Sequence, residues 1–232
     1  MNHYYQYYKK YPLTNPAYMV ARISGNEIRD RAEKYFSGRM IEIGCGDKSK
    51  KYLVGDLVTA HIGLDHEGTL HDKASVDLFG TAYHIPQDDS SYHCLLSTAV
   101  LEHLEDPQAA LREAFRVLHS GGYAIYTAPL YWHLHEEPRD YYRYTKYGLE
   151  HLFKTAGFEI IEITPLSGFW ITFGTELNYY FSSIGSSFLF LPLRLVVVFI
   201  NFLFPLFNQI DIKKNKNAEK WTWMYLVVAK KR

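Results

Sequence analysis

The sequence predicts an α/β fold in which helices cover both faces of a doubly wound, mostly parallel sheet. Three features carry that prediction: short, nearly continuous apolar runs, helical stripes between them, and a Gly-rich turn closing the first run. Strands that are apolar almost throughout suit a parallel sheet, because helices bury both of its faces. Sheets of this kind bind ligands beyond the carboxyl ends of their strands.

Taken in order, a tyrosine-rich start (MNHYYQYYKKYPLTNP) has no apolar h-region, so no secretory signal is expected, and a helical pattern runs from Pro16 to Phe36. Strands are expected at 39–44 (RMIEIG), 61–66 (HIGLDH), 92–98 (YHCLLST) and 122–128 (GYAIYTA). Between the last two, Ala109, Ala110, Leu111, Ala114, Phe115, Val117 and Leu118 form one helical stripe, which Gly121 and Gly122 would terminate.

Composition narrows the function. With 232 residues and 47% hydrophobic content, one domain with insertions is the simplest organisation. A formal charge of +0 gives no support for a nucleic-acid partner, which needs a basic surface. Cys45 and Cys94 are the only cysteines, each inside a hydrophobic run, so neither a disulfide framework nor a thiolate metal site is expected. A reducing cytoplasm fits.

The turn IEIGCG sets the ligand question. Gly44 and Gly46 can adopt positive φ and let the backbone approach a ligand closely. A dinucleotide site wants a third glycine where Ser49 stands, and Glu42 precedes the turn, which disfavours a pyrophosphate. Asp65 closes the next strand, where a carboxylate can accept both hydroxyls of a ribose. A ribose-bearing ligand with positive charge but no pyrophosphate is S-adenosylmethionine.

These segments (IEIGCG, GLDHEG, STAVLEHLEDP and ALREAFRVLHSGGYAIYTAPL) resemble the class I S-adenosylmethionine-dependent methyltransferases, of the methyltransferase type 11 kind, from about residue 38 to 168 and again at the C-terminus. The stretch HLHEEPRDYYRYTKYGLEHLFKTAGFEI resembles a bacterial and archaeal branch associated with cell-surface polysaccharide and lipid modification. The resemblance implies a Rossmann-like sheet whose antiparallel last strand, WMYLVVAK at 223–230, pairs with FEIIEIT at 158–164. It divides the chain into a cap (1–37), a cofactor-binding domain (38–167 and 221–232) and a hydrophobic helical insertion (168–220).

It also implies site residues. Glu42, Gly44, Cys45 and Gly46 would line the methionine side of the cofactor, Asp65 would bind its ribose, and His66 would pack beside its adenine. Ser97 and Thr98 would approach the amino acid moiety. Near the adenine amino group, where the family usually has an acid, this chain offers Thr81 beside Ala82, unless Asp77 is the equivalent residue. Tyr92 and His93 replace the usual Phe-Asp pair that opens the fourth strand.

The segment after the fifth strand reads as the acceptor loop. If a hydroxyl is methylated a base must take its proton, and His135, then His133, are the candidates. Asp140 and Arg143 would orient a polar acceptor, and Tyr131 and Tyr141 belong to an aromatic group suited to sugar or lipid surfaces. Glu102 and His103 read as groups that cap the following helix. No metal is expected, because His133, His135 and Glu136 have no matching distant pair in the sequence. The expected activity is methyl transfer to a small-molecule, sugar or lipid-linked acceptor at oxygen. The rivals are a non-catalytic membrane-bound scaffold and, with its glycine missing, a nicotinamide-dependent oxidoreductase.

Residues 188–207 (FLFLPLRLVVVFINFLFPLF) have the composition of a membrane span. Pro192 and Pro205 are expected to bound a helix of about 13 residues, roughly 20 Å against a hydrocarbon core of roughly 30 Å. Ser187, Arg194, Asn201 and Asn208 recur every seven residues as a polar stripe. With Lys213, Lys214 and Lys216 beyond it, this reads as a helix in a membrane interface, or alternatively a dimer surface through residues 184–212 or a buried lid over the acceptor site, on a cytoplasmic protein peripheral to the inner face of the cell membrane.

Overall fold

The computed structural model describes residues 3–184, 191–214 and 218–232. Its strands are β1 Arg39–Ile43, β2 Ala60–Asp65, β3 Leu78–Phe79, β4 Tyr92–Thr98, β5 Leu118–Pro129, β6 Glu159–Pro165 and β7 Met224–Lys230. Its helices are α1 His3–Lys9, α2 Tyr18–Tyr35, α3 Lys51–Val54, α4 Pro107–Val117, α5 Lys146–Thr155, α6 Phe169–Ile184 and α7 Leu191–Lys214. The chain divides into two compact units. One comprises Ile28–Pro129, Leu134–Thr164 and Tyr225–Arg232; the other comprises Met1–Glu27, Leu130–His133 and Pro165–Met224.

The seven strands form one sheet in the order β3-β2-β1-β4-β5-β7-β6. β1 pairs in parallel with β2 and with β4, and β4 in parallel with β5. The strand order therefore reverses between β1 and β4, and at such a switch point the two outgoing loops diverge and leave a crevice for a ligand. The turn after β1 opens there. Apolar strands produce this arrangement because Met40, Ile41, Leu95, Leu96, Ala124 and Ile125 are all fully buried. β7 is antiparallel to β5: Gly121 and Gly122 exchange backbone hydrogen bonds with Lys231 at one end, and Leu130 donates to Trp223 at the other.

Two expectations about ends are corrected. α4 stops at Val117, and Gly121 and Gly122 lie inside β5, where the register with β4 jumps from Tyr92–Leu118 to Cys94–Tyr123. The glycines serve this bulge, with Gly121 at φ +81°, instead of ending the helix. The cap of α4 is Asp106, whose side chain accepts the Ala109 N–H at 2.9 Å, with Pro107 in the first turn; Glu102 and His103 take no part.

A third correction concerns the insertion. α7 runs through Pro205 for 24 residues, about 36 Å at 1.5 Å per residue. A proline removes one ladder bond and bends a helix at a cost of about 3 kcal/mol, and packing against α6 outweighs it. Gly174 of α6 lies so close to Phe204 that an added Cβ would come within 2.3 Å of its ring. Within the polar stripe Asn201 and Asn208 face inward, while Arg194 is exposed. Asn201 accepts from the Asn178 amide at 2.8 Å and donates to the Leu13 and Asn15 carbonyls at 2.8 and 3.0 Å, while Asn208 accepts the Gly168 N–H. Leu195, Phe199, Phe202, Leu206 and Ile210 are left at least half exposed. Of the expected polar and basic positions, Ser187, Lys216 and the Lys214 side chain lie outside the described residues.

Candidate active site

The turn after β1 is shaped for close approach. Gly44 sits at φ +67° and an added Cβ would lie 2.4 Å from Val100; Gly46 sits at φ +53° beside the His71 ring. The Gly44 and Cys45 N–H groups both donate to the Leu64 carbonyl, which fastens the turn to β2. Asp65, at the end of β2, accepts the Gly46 N–H at 2.9 Å on one oxygen and the His66 N–H at 2.8 Å on the other. A carboxylate has about four lone-pair sites, so two backbone donors leave room for two ribose hydroxyls. His66 follows directly and is half-buried.

Around this frame the remaining expected cofactor residues separate. Glu42 is buried just ahead of the turn and bonds His61 at 2.8 Å. Cys45 is buried, and burial, with Glu42 and Asp65 adding to it, pushes its thiol up to about 12, which suits a filler and not a nucleophile. Ser97 and Thr98 lie side by side at the end of β4, paired with Tyr126 and Thr127, and Ala99 follows at φ +53°. Thr81 is exposed and Ala82 buried just past β3, where Thr81 accepts the His84 N–H. Asp77 lies at the start of β3, held by Lys48 and by the Gly63 N–H. Burial alone would raise the Asp77 carboxyl, but the Gly63 and Lys48 hydrogen bonds outweigh it and hold the group below its usual value. The Thr81 segment lies at the carboxyl end of β3 and Asp77 just before its start.

The acceptor-loop residues fall in both units. His135, Asp140, Tyr141 and Arg143 belong to the unit containing the cofactor turn. Asp140 is clamped by two guanidinium bonds from Arg143, at 2.6 and 2.8 Å, and lies 3.3 Å from His135 Nδ1. The Arg143 bonds hold the Asp140 carboxyl well below the usual carboxylate range, against the opposing effect of burial. Tyr141 donates its hydroxyl to Glu105 and its N–H to the Glu102 carbonyl. Tyr131 and His133 belong to the other unit. There His133 Nδ1 meets Glu176 at 3.0 Å, with Trp132 and Tyr179 against its ring, and Tyr131 stacks on Trp221.

One grouping is invisible in the linear sequence. Glu102, in the 3-10 turn after β4, is fully buried, and burial pushes its carboxyl up to about 8. Beside it the His103 and His135 rings meet edge to face with centroids 4.7 Å apart. The adjacent acid and histidine in VLEHL were the available signal, and the partner on the later loop appears only once the chain folds.

Residues 41–126 match the family model of the methyltransferase domain. A curated protein of Mycolicibacterium smegmatis, described as a probable S-adenosylmethionine-dependent methyltransferase, is 34% identical over 96 residues. That match spans 39% of this chain and 37% of the relative's own length. Among solved structures, the chain is similar to the cyclase SpnF (16% identical, TM-score 0.58, covering 89% of this chain and 81% of that one). It is also similar to Haemonchus contortus phosphoethanolamine N-methyltransferase 2 in complex with S-adenosylmethionine (17% identical, TM-score 0.57, covering 90% and 52%). At such identities the structural likenesses establish the fold, and a cyclase among them means that the fold leaves the reaction open. The family model and the curated relative, and not the structural likenesses, make residues 41–126 an S-adenosylmethionine-dependent methyltransferase domain, with S-adenosylmethionine as its cofactor.

Proposed function

We propose that the chain transfers a methyl group to a hydroxyl of a small-molecule, sugar or lipid-linked acceptor. The observation that carries the cofactor half is Asp65, whose carboxylate is fixed by the turn's own Gly46 N–H at the end of β2. S-adenosylmethionine supplies a methyl group already activated on a sulfonium, whose leaving thioether is neutral. The chain's task is therefore to align the acceptor oxygen with that methyl and to let its proton go. His135 assists this loss, oriented by Asp140 across 3.3 Å. Methyl transfer from labelled S-adenosylmethionine to a panel of hydroxyl-bearing saccharides and polyprenyl-linked sugars tests the reading. Binding of S-adenosylhomocysteine with no transfer to any of them would favour a scaffold role.

The same proposal places the protein at the inner face of the cell membrane. What supports this is α7, whose polar residues Asn201 and Asn208 bond inward while its outer face is apolar. An outward apolar face of this size meets lipid or another protein. A single crossing conflicts with the return of the chain to the sheet at β7, so the helix pair lies in the interface or dips into one leaflet. Flotation with anionic liposomes tests it, a soluble dimer that ignores liposomes being the opposing outcome.

A further inference from the structure

Glu102, His103 and His135 each offer one ligand-type atom, and these atoms all lie within 4.8 Å of one another. Among the described residues no other residue donates a hydrogen bond to the buried Glu102 carboxyl, which is reached only by its own backbone N–H. Burial leaves such a carboxyl short of partners, and a bound cation is one of the few groups that supplies them. Protonation alone does not, since the neutral acid still needs an acceptor for its O–H and donors for its oxygens.

Both histidines are oriented as metal-bound imidazoles are. His103 Nδ1 bonds the Arg139 carbonyl at 2.7 Å, which turns Nε2 toward the cluster, and His135 Nδ1 faces the Asp140 carboxylate that Arg143 holds. A carbonyl or carboxylate on one ring nitrogen fixes the tautomer and makes the other nitrogen a better ligand. Glu136 lies next to this group, with one oxygen 3.9 Å from His103 Nε2 and the other 3.9 Å from His71 Nε2. The His71 ring lies beside Gly46, so the cluster adjoins the cofactor turn.

We propose that Glu102, His103 and His135 hold a divalent transition-metal cation beside the cofactor turn, where it presents an acceptor hydroxyl to the methyl group. Two imidazoles with one carboxylate suit Zn²⁺, Mn²⁺ or Fe²⁺ better than Mg²⁺ or Ca²⁺, which prefer all-oxygen shells. Bonds of about 2.0–2.2 Å require the donors to draw in by about an ångström. Three protein ligands leave positions open for the acceptor. The acceptor class narrows to oxygen donors: the cation would acidify the hydroxyl it polarises, whose proton passes to solvent. The oxygen–carbon bond forms as the carbon–sulfur bond breaks, and S-adenosylhomocysteine leaves. His135 then assists proton loss only through the cation it holds. The acceptor half of the proposal rests on the methyl-transfer reading; the metal site does not.

Mn²⁺ titrated into chelator-stripped protein, followed by electron paramagnetic resonance and calorimetry, tests the site. One Mn²⁺ per chain is expected, bound at least tenfold more weakly by Glu102→Gln and by His103→Ala. S-adenosylhomocysteine titrated into the same samples should bind all three forms alike, which shows the variants are folded. X-ray absorption of the zinc-loaded wild-type chain should show imidazole nitrogen in the metal's shell. Absence of stoichiometric Mn²⁺, equal affinity in both variants, or a zinc shell without imidazole would overturn the site. Metal binding without S-adenosylhomocysteine binding would uphold the site and count against the methyl-transfer reading; the reverse would sink the site alone.

Discussion

His135 and Asp140 meet twice: Asp140 Oδ2 accepts the His135 backbone N–H at 3.0 Å and lies 3.3 Å from the same residue's Nδ1. One carboxylate thus sets both the backbone and the ring of the histidine, and Arg143 fixes the carboxylate. His135→Ala should lower turnover roughly 10²- to 10⁴-fold where proton loss limits the rate, as expected for a group that assists proton transfer. S-adenosylhomocysteine affinity should stay within about twofold, since His135 is not part of the turn. A parallel loss of both would make His135 structural.

Asp65→Ala removes the ribose acceptor and the anchor of the Gly46 N–H together. Hydrogen bonds to a charged group contribute about 1.5–3 kcal/mol each. S-adenosylmethionine affinity should fall at least tenfold by calorimetry. Wild-type affinity in this variant would remove Asp65 from the site.

Gly44→Ala places a Cβ 2.4 Å from Val100 at a φ of +67°. Left-handed backbone costs a non-glycine residue about 1–3 kcal/mol, and the clash adds to it. Thermal melting should show that loss. Pairing the variant with Val100→Ala should restore part of it, because the clash is relieved while the φ strain stays.

Glu102 makes metal-free stability fall as pH rises. Its carboxyl is pushed up to about 8 when folded, against an ordinary 4.5, because burial disfavours the charge; its own backbone N–H and the nearby Arg143 favour ionisation, while Asp140 and Glu136 oppose it. The folded state therefore holds the extra proton between those values. The stability contribution is complete below about pH 4.5 and is lost progressively up to about pH 8, by a few kcal/mol in all. In denaturant melts with chelator present, Glu102→Gln should flatten this slope. An unchanged slope would show that Glu102 does not titrate there.

On α7 two substitutions should have opposite effects. Phe202→Asp, on the exposed face, should change stability by no more than about 0.5 kcal/mol and abolish flotation with liposomes. Asn201→Leu makes the helix more apolar but strands the Asn178 amide and two backbone carbonyls. Each unsatisfied group costs about 1–3 kcal/mol, so this variant should melt markedly lower.

The sheet was legible because a parallel strand has no wet face, so its apolar run reads directly; β1, β2 and β4 fall within a residue or two of their expected bounds. The GCG turn and Asp65 were legible because local geometry demands their residue types. α7 was misread at Pro205, since a proline rule describes an isolated helix and the Gly174–Phe204 packing overrides it. The seven-residue polar stripe was seen, but not its direction, which depends on Asn178 and the Leu13 and Asn15 carbonyls far away in sequence. Glu102 with His135 escaped for the same reason: neither neighbourhood alone contains enough donors to suggest a centre.

The place of β7 between β5 and β6 gives the chain a particular order of assembly during synthesis. β6 is made before β7 and has no neighbour in the sheet until β7 leaves the ribosome. Translation from Pro165 to Lys230 takes roughly 3–13 s at about 5–20 residues per second. Throughout that interval the nascent sheet has two open edges and trails an apolar helix pair. A chaperone that engages the helices during that interval would shield their apolar face until β7 closes the sheet.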